Sequence, residues 1–324
     1  MKRHLVACAV LALLALPVPA SSDSVPALSV WLAAGDIGAL CAEPVKAAGL
    51  AKDTGALETL FPVFQVGEAL KSGQSGDKIF GMPLNWLTRT LPGRLSLANE
   101  PYAFRDVSHF SAYMSSDLLH DQIQDFAAGQ GVRVLAVGYS SQYFVLSTKP
   151  LPEKKGYVNL KIAGSNAPWF SALGAVPQQI PWAEMAPAVS LGMLDAAILP
   201  LKLSNAFSKK SVEMLGNSPR LSYIQSEPIS VWALVFAMNE TAFQGLPVAV
   251  RDALTASAQA AARDCSSKLL HADKTIFDEL ASDTLKVYDL TDRGIVDAIR
   301  NARSAAAAEA GWTAEDLRRL SDIQ

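Results

Sequence analysis

The chain has 324 residues, of which 50% are hydrophobic and 18% charged, and its formal net charge is -3 at pH 7. A chain of this length can bury a large core and predicts two domains. The acidic balance offers no basic face, so we expect no nucleic-acid partner. The 4 histidines and 3 cysteines show no metal-ligand spacing, so we expect no metal and no cofactor.

Residues 1–20 are typical of a cleavable signal peptide. Lys2 and Arg3 precede an apolar run from Leu5 to Leu16, and the small residue Ala20 suits a signal peptidase. The run is too short for a bilayer, which needs roughly 20 apolar residues, and this argues against the alternative of an uncleaved membrane anchor. The sequence therefore predicts export to the periplasm.

Short β-branched or aromatic segments alternate with helix-length segments along the chain. Predicted strands cover 28–32, 57–63, 78–82, 132–138, 143–147, 195–199, 231–238 and 285–290. Predicted helices cover 107–129, 183–191 and 292–308. This alternation predicts an α/β fold in which helices cover both faces of a sheet.

A long helix is predicted after Pro247, because no glycine or proline interrupts the chain from there to Ala281. One helix over this segment would be about 50 Å long. It either packs on the surface of one domain or runs under two lobes and joins them, and we favour the second arrangement. Cys41 and Cys265 can pair in an exported protein, but 224 positions separate them, and the sequence leaves the bridge open.

Five weak motifs occur in a consistent order. They are PYAFRDVSHF, STKPLPEKKGYVNLKIAGSN, the P-W-A-E helix start, the L-D-A strand entry and FAMNETAFQGLPVAVRDAL. Together they resemble the extracytoplasmic receptors of tripartite ATP-independent periplasmic (TRAP) transporters. The resemblance implies a two-lobed periplasmic-binding-protein-like fold with a ligand cleft between the lobes and a long helix spanning both. We place lobe I at 27–145 plus 230–262 and lobe II at 146–229 plus 263–324.

The resemblance also implies positions for the ligand contacts, and this chain departs from the family at most of them. The arginine on the strand after L-K-I falls on Ala163, and a second arginine falls near Gln142. The asparagine ahead of the strand-end proline falls on Leu199, whereas the aromatic residue is retained as Trp182. Neither alanine nor glutamine supplies a bidentate guanidinium. We therefore expect an apolar wall beside Trp182 and a ligand less polar than a dicarboxylate.

Other residues are candidates for the remaining contacts. Gln142 and Asn166 could hold a neutral polar group, and the segment PLNWLTRT offers Asn85 and Trp86 from lobe I, although Trp86 fits the core of the lobe equally well. Asp36, in the turn after the first strand, is a further contact candidate, although turn chemistry explains it as well. The cations that could replace the missing arginine, or simply be solvated, are Lys161, Arg89 and Arg94.

The sequence thus predicts a monomeric periplasmic receptor for a small organic solute, either an organic acid or a less polar aromatic or alicyclic compound. As the resemblance implies, it would deliver the solute to the membrane subunits of a TRAP-type transporter. The alternatives are a sensory or adaptor protein and a ligand-free interaction protein with the same fold. Catalysis is not expected, because the chain lacks G-x-S-x-G, G-x-G-x-x-G and P-loop motifs.

Overall fold

The computed structural model describes residues 28–181, 184–202, 221–283, 285–305 and 311–324. The predicted signal peptide and Trp182 lie outside these ranges. The strands are β1 (Val30–Leu32), β2 (Thr54–Ala56), β3 (Ile79–Pro83), β4 (Val132–Ser147), β5 (Lys161–Ala163), β6 (Val176–Gln178), β7 (Ala196–Pro200), β8 (Tyr223–Gln225), β9 (Ser230–Asn239) and β10 (Lys286–Tyr288). The helices are α1 (Asp36–Ala47), α2 (Val66–Lys71), α3 (Leu84–Thr88), α4 (Val107–Met114), α5 (Asp117–Gln130), α6 (Met185–Ser190), α7 (Glu240–Gln244), α8 (Val248–Asp283), α9 (Gly294–Ala305) and α10 (Ala314–Asp322).

These strands form one mixed sheet in the order β2-β1-β3-β9-β4-β7-β5-β6, with β8 pairing both β4 and β10. The long strand β4 pairs antiparallel with β9 along its first part and with β7 and β8 along its last part. Two strands were predicted over 132–138 and 143–147, but the chain continues without a break between them. Register shifts in the β4–β9 pairing between Val134 and Ala136 and between Tyr139 and Ser141 mark bulges in this strand.

Two other predicted elements are wrong in their bounds. The strand expected over 57–63 is instead a pair of 3-10 turns, and the neighbouring strand is β2. Pro62 lies inside the predicted strand and has no N–H for a sheet ladder. The helix expected over 107–129 is broken into α4 and α5, because the Ser116 side chain accepts a hydrogen bond from the Leu119 N–H at 3.2 Å and starts a new helix.

Three buried apolar clusters divide between two lobes. The first cluster lies around β1, β3, β9 and the first half of β4, and it includes Trp312 and Leu320 from the C-terminal segment. The second and third clusters lie on opposite faces of the last part of β4, since Val145 belongs to one and Phe144 to the other. The predicted two-lobed α/β fold is thus confirmed, while the residue boundaries of the lobes stay a prediction.

Helix α8 joins the lobes, as predicted. It has 36 residues, which corresponds to a length of about 54 Å. Its buried residues recur every three or four positions: Leu254, Ala258, Ala261, Cys265 and Leu269 pack into the first cluster, and Leu280 packs into the third. A helix whose single buried stripe serves both lobes constrains how the lobes can move.

The PYAFRDVSHF segment has a structural role. The Asp106 side chain accepts a hydrogen bond from the His109 N–H at 2.8 Å and caps α4. The Arg105 guanidinium donates to the carbonyls of Ser321 and Ile323, and His109 Nε2 lies 2.9 Å from the Leu320 carbonyl oxygen. The segment therefore fastens the C-terminal helix to lobe I.

Cys41 of α1 and Cys265 of α8 form a disulfide, with their Cα atoms 5.0 Å apart. Both residues are fully buried in the first cluster. The sequence left this pairing open because the two positions are far apart along the chain. The bond joins the first helix of lobe I to the long helix. In the unfolded chain it closes a large loop.

Loss of this disulfide should lower the free energy of unfolding by about 2–4 kcal/mol, because the cross-link restricts the unfolded chain. We expect the double variant Cys41→Ala/Cys265→Ala to show the loss in urea denaturation. Unfolding the wild type in a reductant is the control that keeps the side-chain volume of both cysteines. Equal unfolding midpoints for the oxidised and reduced wild type would contradict the prediction.

Candidate ligand-binding site

Two adjoining cavities lie between the lobes. The first has a volume of about 500 Å³ and the second about 340 Å³. They share four lining residues, namely Arg89, Gly164, Ser165 and Gln179. Arg89 belongs to lobe I and the other three to lobe II, so the two cavities form one cleft across the lobe boundary.

The lobe I wall is built by two short helical segments. Helix α3 begins directly after Pro83 at the end of β3 and carries Asn85 and Thr88, with Arg89 following its last residue. The 3-10 segment Arg94–Asn99 packs its leucines into the first cluster and ends at the cavity with Asn99 and Glu100. Burial of the apolar residues in both segments thus places the polar residues at the cleft.

The lobe II wall is the loop after β5. A side chain at Gly164 would meet the backbone oxygen of Ile198 at 2.5 Å, and its φ of +122° also disfavours any other residue. This glycine lets the loop run against β7 and turn into the cleft, where Ser165 and Asn166 follow. Asn166 is buried, and its Nδ2 donates to Ser230 Oγ at 3.0 Å, which fixes the loop to the start of β9.

An aromatic platform closes the first cavity. Trp232 lines it and stacks on Tyr143 with the ring centroids 4.0 Å apart. The Trp232 Nε1 donates to Ser230 Oγ at 3.1 Å, the same oxygen that Asn166 contacts. The indole is therefore held in one orientation at the point where β4 and β9 cross between the lobes.

Arg89 is the cation that remains available in this cleft. Its side chain is exposed, and within the described residues the guanidinium has no hydrogen-bond or ion-pair partner. Arg94, by contrast, pairs with Asp316 and Asp125. Lys161 donates to the Gly192 carbonyl at 2.9 Å and does not line either cavity. Of the three cations considered from the sequence, Arg89 is the one that lines the two cavities.

The first cavity also collects polar groups that lack partners. Within the part of the chain that the structure describes, three buried atoms of its lining have no hydrogen bond, namely Asn85 Oδ1, Asn99 Nδ2 and Glu100 Oε2. The Asn99 amide is oriented by its Oδ1, which accepts from the Ala233 N–H at 3.1 Å. Buried polar groups in native proteins are normally paired, so three unpaired ones in a single cavity indicate a site for a polar ligand.

Burial raises the pKa of the Glu100 carboxyl to about 7, although the charge of Arg303 and the Trp169 side chain oppose the rise. Burial also lowers the pKa of Arg303 to about 10. The Arg303 guanidinium donates to the Pro101 carbonyl at 3.1 Å and so lies directly behind this segment. Glu100 therefore changes charge near neutral pH at the wall of the cleft.

Two of the predicted contacts, Asn85 and Asn166, both line the first cavity, and their role as ligand contacts stays a prediction. Ala163 and Leu199 lie elsewhere, because both are fully buried in the third cluster on β5 and β7. The expected apolar wall is therefore not part of either cavity, whose lining is mostly polar. Trp182 cannot be compared, since it falls outside the described residues.

The other predicted contacts also lie away from the two cavities. Gln142 is in β4, where its N–H donates to Asp273 at 3.0 Å. Trp86 packs against the first cluster. Asp36 forms an ion pair with Lys202, which joins the start of α1 in lobe I to the end of β7 in lobe II. Their roles as ligand contacts stay predictions.

The residues that the sequence did not indicate are Asn99, Glu100 and Trp232. Trp232 lies in a strand whose ten residues are all buried, so its sequence context is that of a core residue. Asn99 and Glu100 follow the largely apolar segment LSLA and precede Pro101. Two polar residues at that point are a weak signal, which gains meaning only when the lobe boundary is known.

The chain matches the family model described as bacterial extracellular solute-binding protein, family 7, over residues 59–309. It therefore belongs to this family, whose members are solute receptors rather than enzymes. The resemblance to TRAP receptors is thus confirmed. Among individually curated proteins, none matches the chain.

Solved structures of TRAP periplasmic solute-binding proteins share the fold. One from Ochrobactrum anthropi, with its C-terminus bound in the ligand-binding pocket, is 18% identical at a TM-score of 0.75, covering 91% of this chain and 93% of its own. One from Polaromonas sp. JS666, bound to D-erythronate, is 16% identical at 0.70, covering 92% and 98%. One from Shewanella oneidensis, with bound succinate, is 15% identical at 0.70, covering 91% and 97%.

The described ranges lack two further classes of feature, a metal-binding cluster and a membrane-spanning helix. No group of three or more histidine, cysteine, aspartate or glutamate side chains is placed there to hold a metal ion. None of the helices given above is both long and apolar enough to cross a membrane.

The raised pKa of Glu100 predicts a pH-dependent loss of stability in the ligand-free protein. The folded pKa of about 7 lies above the ordinary 4.5, so the stabilisation is complete below pH 4.5 and disappears as the pH rises through 7. Between pH 5 and 8 the wild type should lose about 1–3 kcal/mol relative to Glu100→Gln. Urea denaturation across this range measures the difference.

Glu68→Gln, at an exposed position on α2, is the matched control and should follow the wild type at every pH. If the curves for the wild type and Glu100→Gln ran parallel from pH 5 to 8, the Glu100 carboxyl would not titrate as described.

Proposed function

We propose that this protein is a monomeric periplasmic receptor that captures a small organic acid in the cleft and delivers it to the membrane subunits of a TRAP-type transporter. The observation that carries the proposal is the free guanidinium of Arg89, which lines both cavities. An unpaired arginine in a cleft lined by polar groups is suited to a carboxylate, because its planar fork can donate two parallel hydrogen bonds.

Arg89 can replace the arginine that this chain lacks on lobe II. Ala163 occupies the place where the resemblance implies an arginine from lobe II, and a carboxylate buried there without a partner would cost several kcal/mol. Arg89 supplies the missing charge from the opposite wall. Ser165, Asn166 and Gln179 of lobe II then face the ligand as neutral groups.

The fold relatives support the same class of ligand. The proteins from Polaromonas and Shewanella hold D-erythronate and succinate, which are both organic acids. The polar lining of the first cavity here favours an organic acid over the aromatic or alicyclic compound that the sequence left open. Closure of the two lobes by a hinge motion would bring Arg89 and Asn166 onto the same ligand.

Substitution of Arg89 should abolish most of the affinity for organic acids. We expect Arg89→Gln to weaken binding about 10- to 100-fold, because a hydrogen bond to a charged group contributes about 1.5–3 kcal/mol. Isothermal titration calorimetry with D-erythronate, D-gluconate and 4-hydroxybutyrate measures the effect. Arg89→Lys should recover part of it, since lysine keeps the charge without the fork.

Lys161→Gln is the matched control, because this cation is exposed but does not line the cleft. It should bind like the wild type. Equal affinities for Arg89→Gln and the wild type would remove Arg89 from the site, and a wild type that binds none of the acids would refute the receptor proposal.

A further inference from the structure

Above pH 7, the ionised Glu100 gives the cleft a second charge, opposite in sign to that of Arg89. Of the described residues that line the two cavities, Arg89 and Glu100 are the ones that carry charge. Arg89 is used by the proposed carboxylate contact, whereas Glu100 has no such role. A cleft with one cation and one anion at its walls fits a ligand with one carboxylate and, elsewhere, a group that can donate to a carboxylate.

The segment around Glu100 is fixed from two sides. Asn99 Oδ1 accepts from the Ala233 N–H of β9, and Arg303 of α9 donates to the carbonyl of Pro101. The chain on both sides of Glu100 is therefore held at the cleft. Such a fixed position is what a group that discriminates between ligands requires.

The hydrogen bonding of this carboxyl group is incomplete. Its Oε2 is buried and has no partner among the described residues, and Asn85 Oδ1, which belongs to the same cavity lining, is a second buried acceptor without a donor there. A ligand hydroxyl or ammonium group could supply the missing donor. Above pH 7, where Glu100 is ionised, a second ligand carboxylate could not, because neither group has a proton to donate and the two like charges repel each other.

We propose that Glu100 makes this receptor selective for monocarboxylates that carry a hydrogen-bond donor away from the carboxylate, and that it excludes dicarboxylates. This inference rests on the proposed function, since it takes Arg89 as the partner of the one carboxylate. The unpaired Asn99 Nδ2, also at the first cavity, adds a donor for an oxygen of the same ligand. Hydroxy acids satisfy all of these groups at once.

Matched pairs of probes test the inference, because the members of each pair differ in one terminal group. The pairs are 4-hydroxybutyrate and succinate, D-erythronate and meso-tartrate, and D-gluconate and D-glucarate. In each pair a terminal CH₂OH replaces a second carboxylate. Calorimetric titration at pH 8, where Glu100 is ionised, of the wild type, Glu100→Gln and the control Glu68→Gln with all six compounds gives the affinity ratio within each pair.

We expect the wild type to bind the hydroxy member of at least one pair about tenfold or more tightly than the dicarboxylate, which corresponds to at least 1.4 kcal/mol. Glu100→Gln should reduce that ratio by about tenfold, since the amide removes the repulsion and weakens the acceptor. Glu68→Gln should keep the wild-type ratio. Thermal unfolding of each variant in the absence of probe shows that it is folded.

Two results would overturn the inference while leaving the receptor proposal intact. One is a wild type that binds dicarboxylates as tightly as their hydroxy partners, and the other is a ratio that Glu100→Gln leaves unchanged. If no member of any pair binds the wild type, the proposed function fails together with the inference.

Discussion

The contact between helix α8 and strand β4 is the constraint on which the rest of the structure depends. A side chain at Gly138 would meet the Ala262 carbonyl oxygen of the helix at 3.0 Å, so strand and helix touch through their backbones. The Tyr139 N–H donates to Ser266 Oγ at 2.8 Å. About two helical turns further along α8, the buried Asp273 carboxylate accepts hydrogen bonds from the Tyr139 hydroxyl, the Ser141 hydroxyl and the Gln142 N–H.

These bonds lie where β4 passes from lobe I to lobe II, beside the register shift between Tyr139 and Ser141. Burial raises the pKa of Asp273, and the three donors oppose the rise. Removing those donors would leave a buried carboxylate short of partners, which costs several kcal/mol. The strand is thus held to the helix at its crossing point. The proposed hinge motion of the lobes would therefore turn about a fixed axis at this contact.

The fixed axis explains why the cleft can be assembled from short segments. The stacked Tyr143 and Trp232 lie at the same crossing, so the floor of the first cavity lies at the proposed hinge. Asp36 and Lys202 pair across the lobes at a separate point, away from both cavities. The polar side chains of the walls need only be carried on rigid turns, such as α3 and the loop after Gly164.

The sequence predicted the fold better than the site, and the reason is physical. Helix α8 follows from a long segment without glycine or proline, and short β-branched or aromatic segments indicated the longer strands. Ligand contacts depend in addition on which way a side chain points. Ala163 occupies the place of a family contact, yet its side chain is buried in the third cluster. Glu100 approaches the cleft through tertiary packing of Arg303 and Ala233, which no local pattern reveals.

An arginine on lobe I rather than on lobe II changes which ligand contacts favour closure of the receptor. If Arg89 holds the carboxylate, lobe II contributes the neutral residues Ser165, Asn166 and Gln179. A neutral hydrogen bond contributes about 0.5–1.5 kcal/mol, less than a bond to a charged group. Closure would then depend on how many hydroxyl groups the ligand offers to lobe II, and a ligand without them would bind to lobe I and leave the cleft open. Ligand hydroxyl groups would thus determine both selectivity at Glu100 and the population of the closed form.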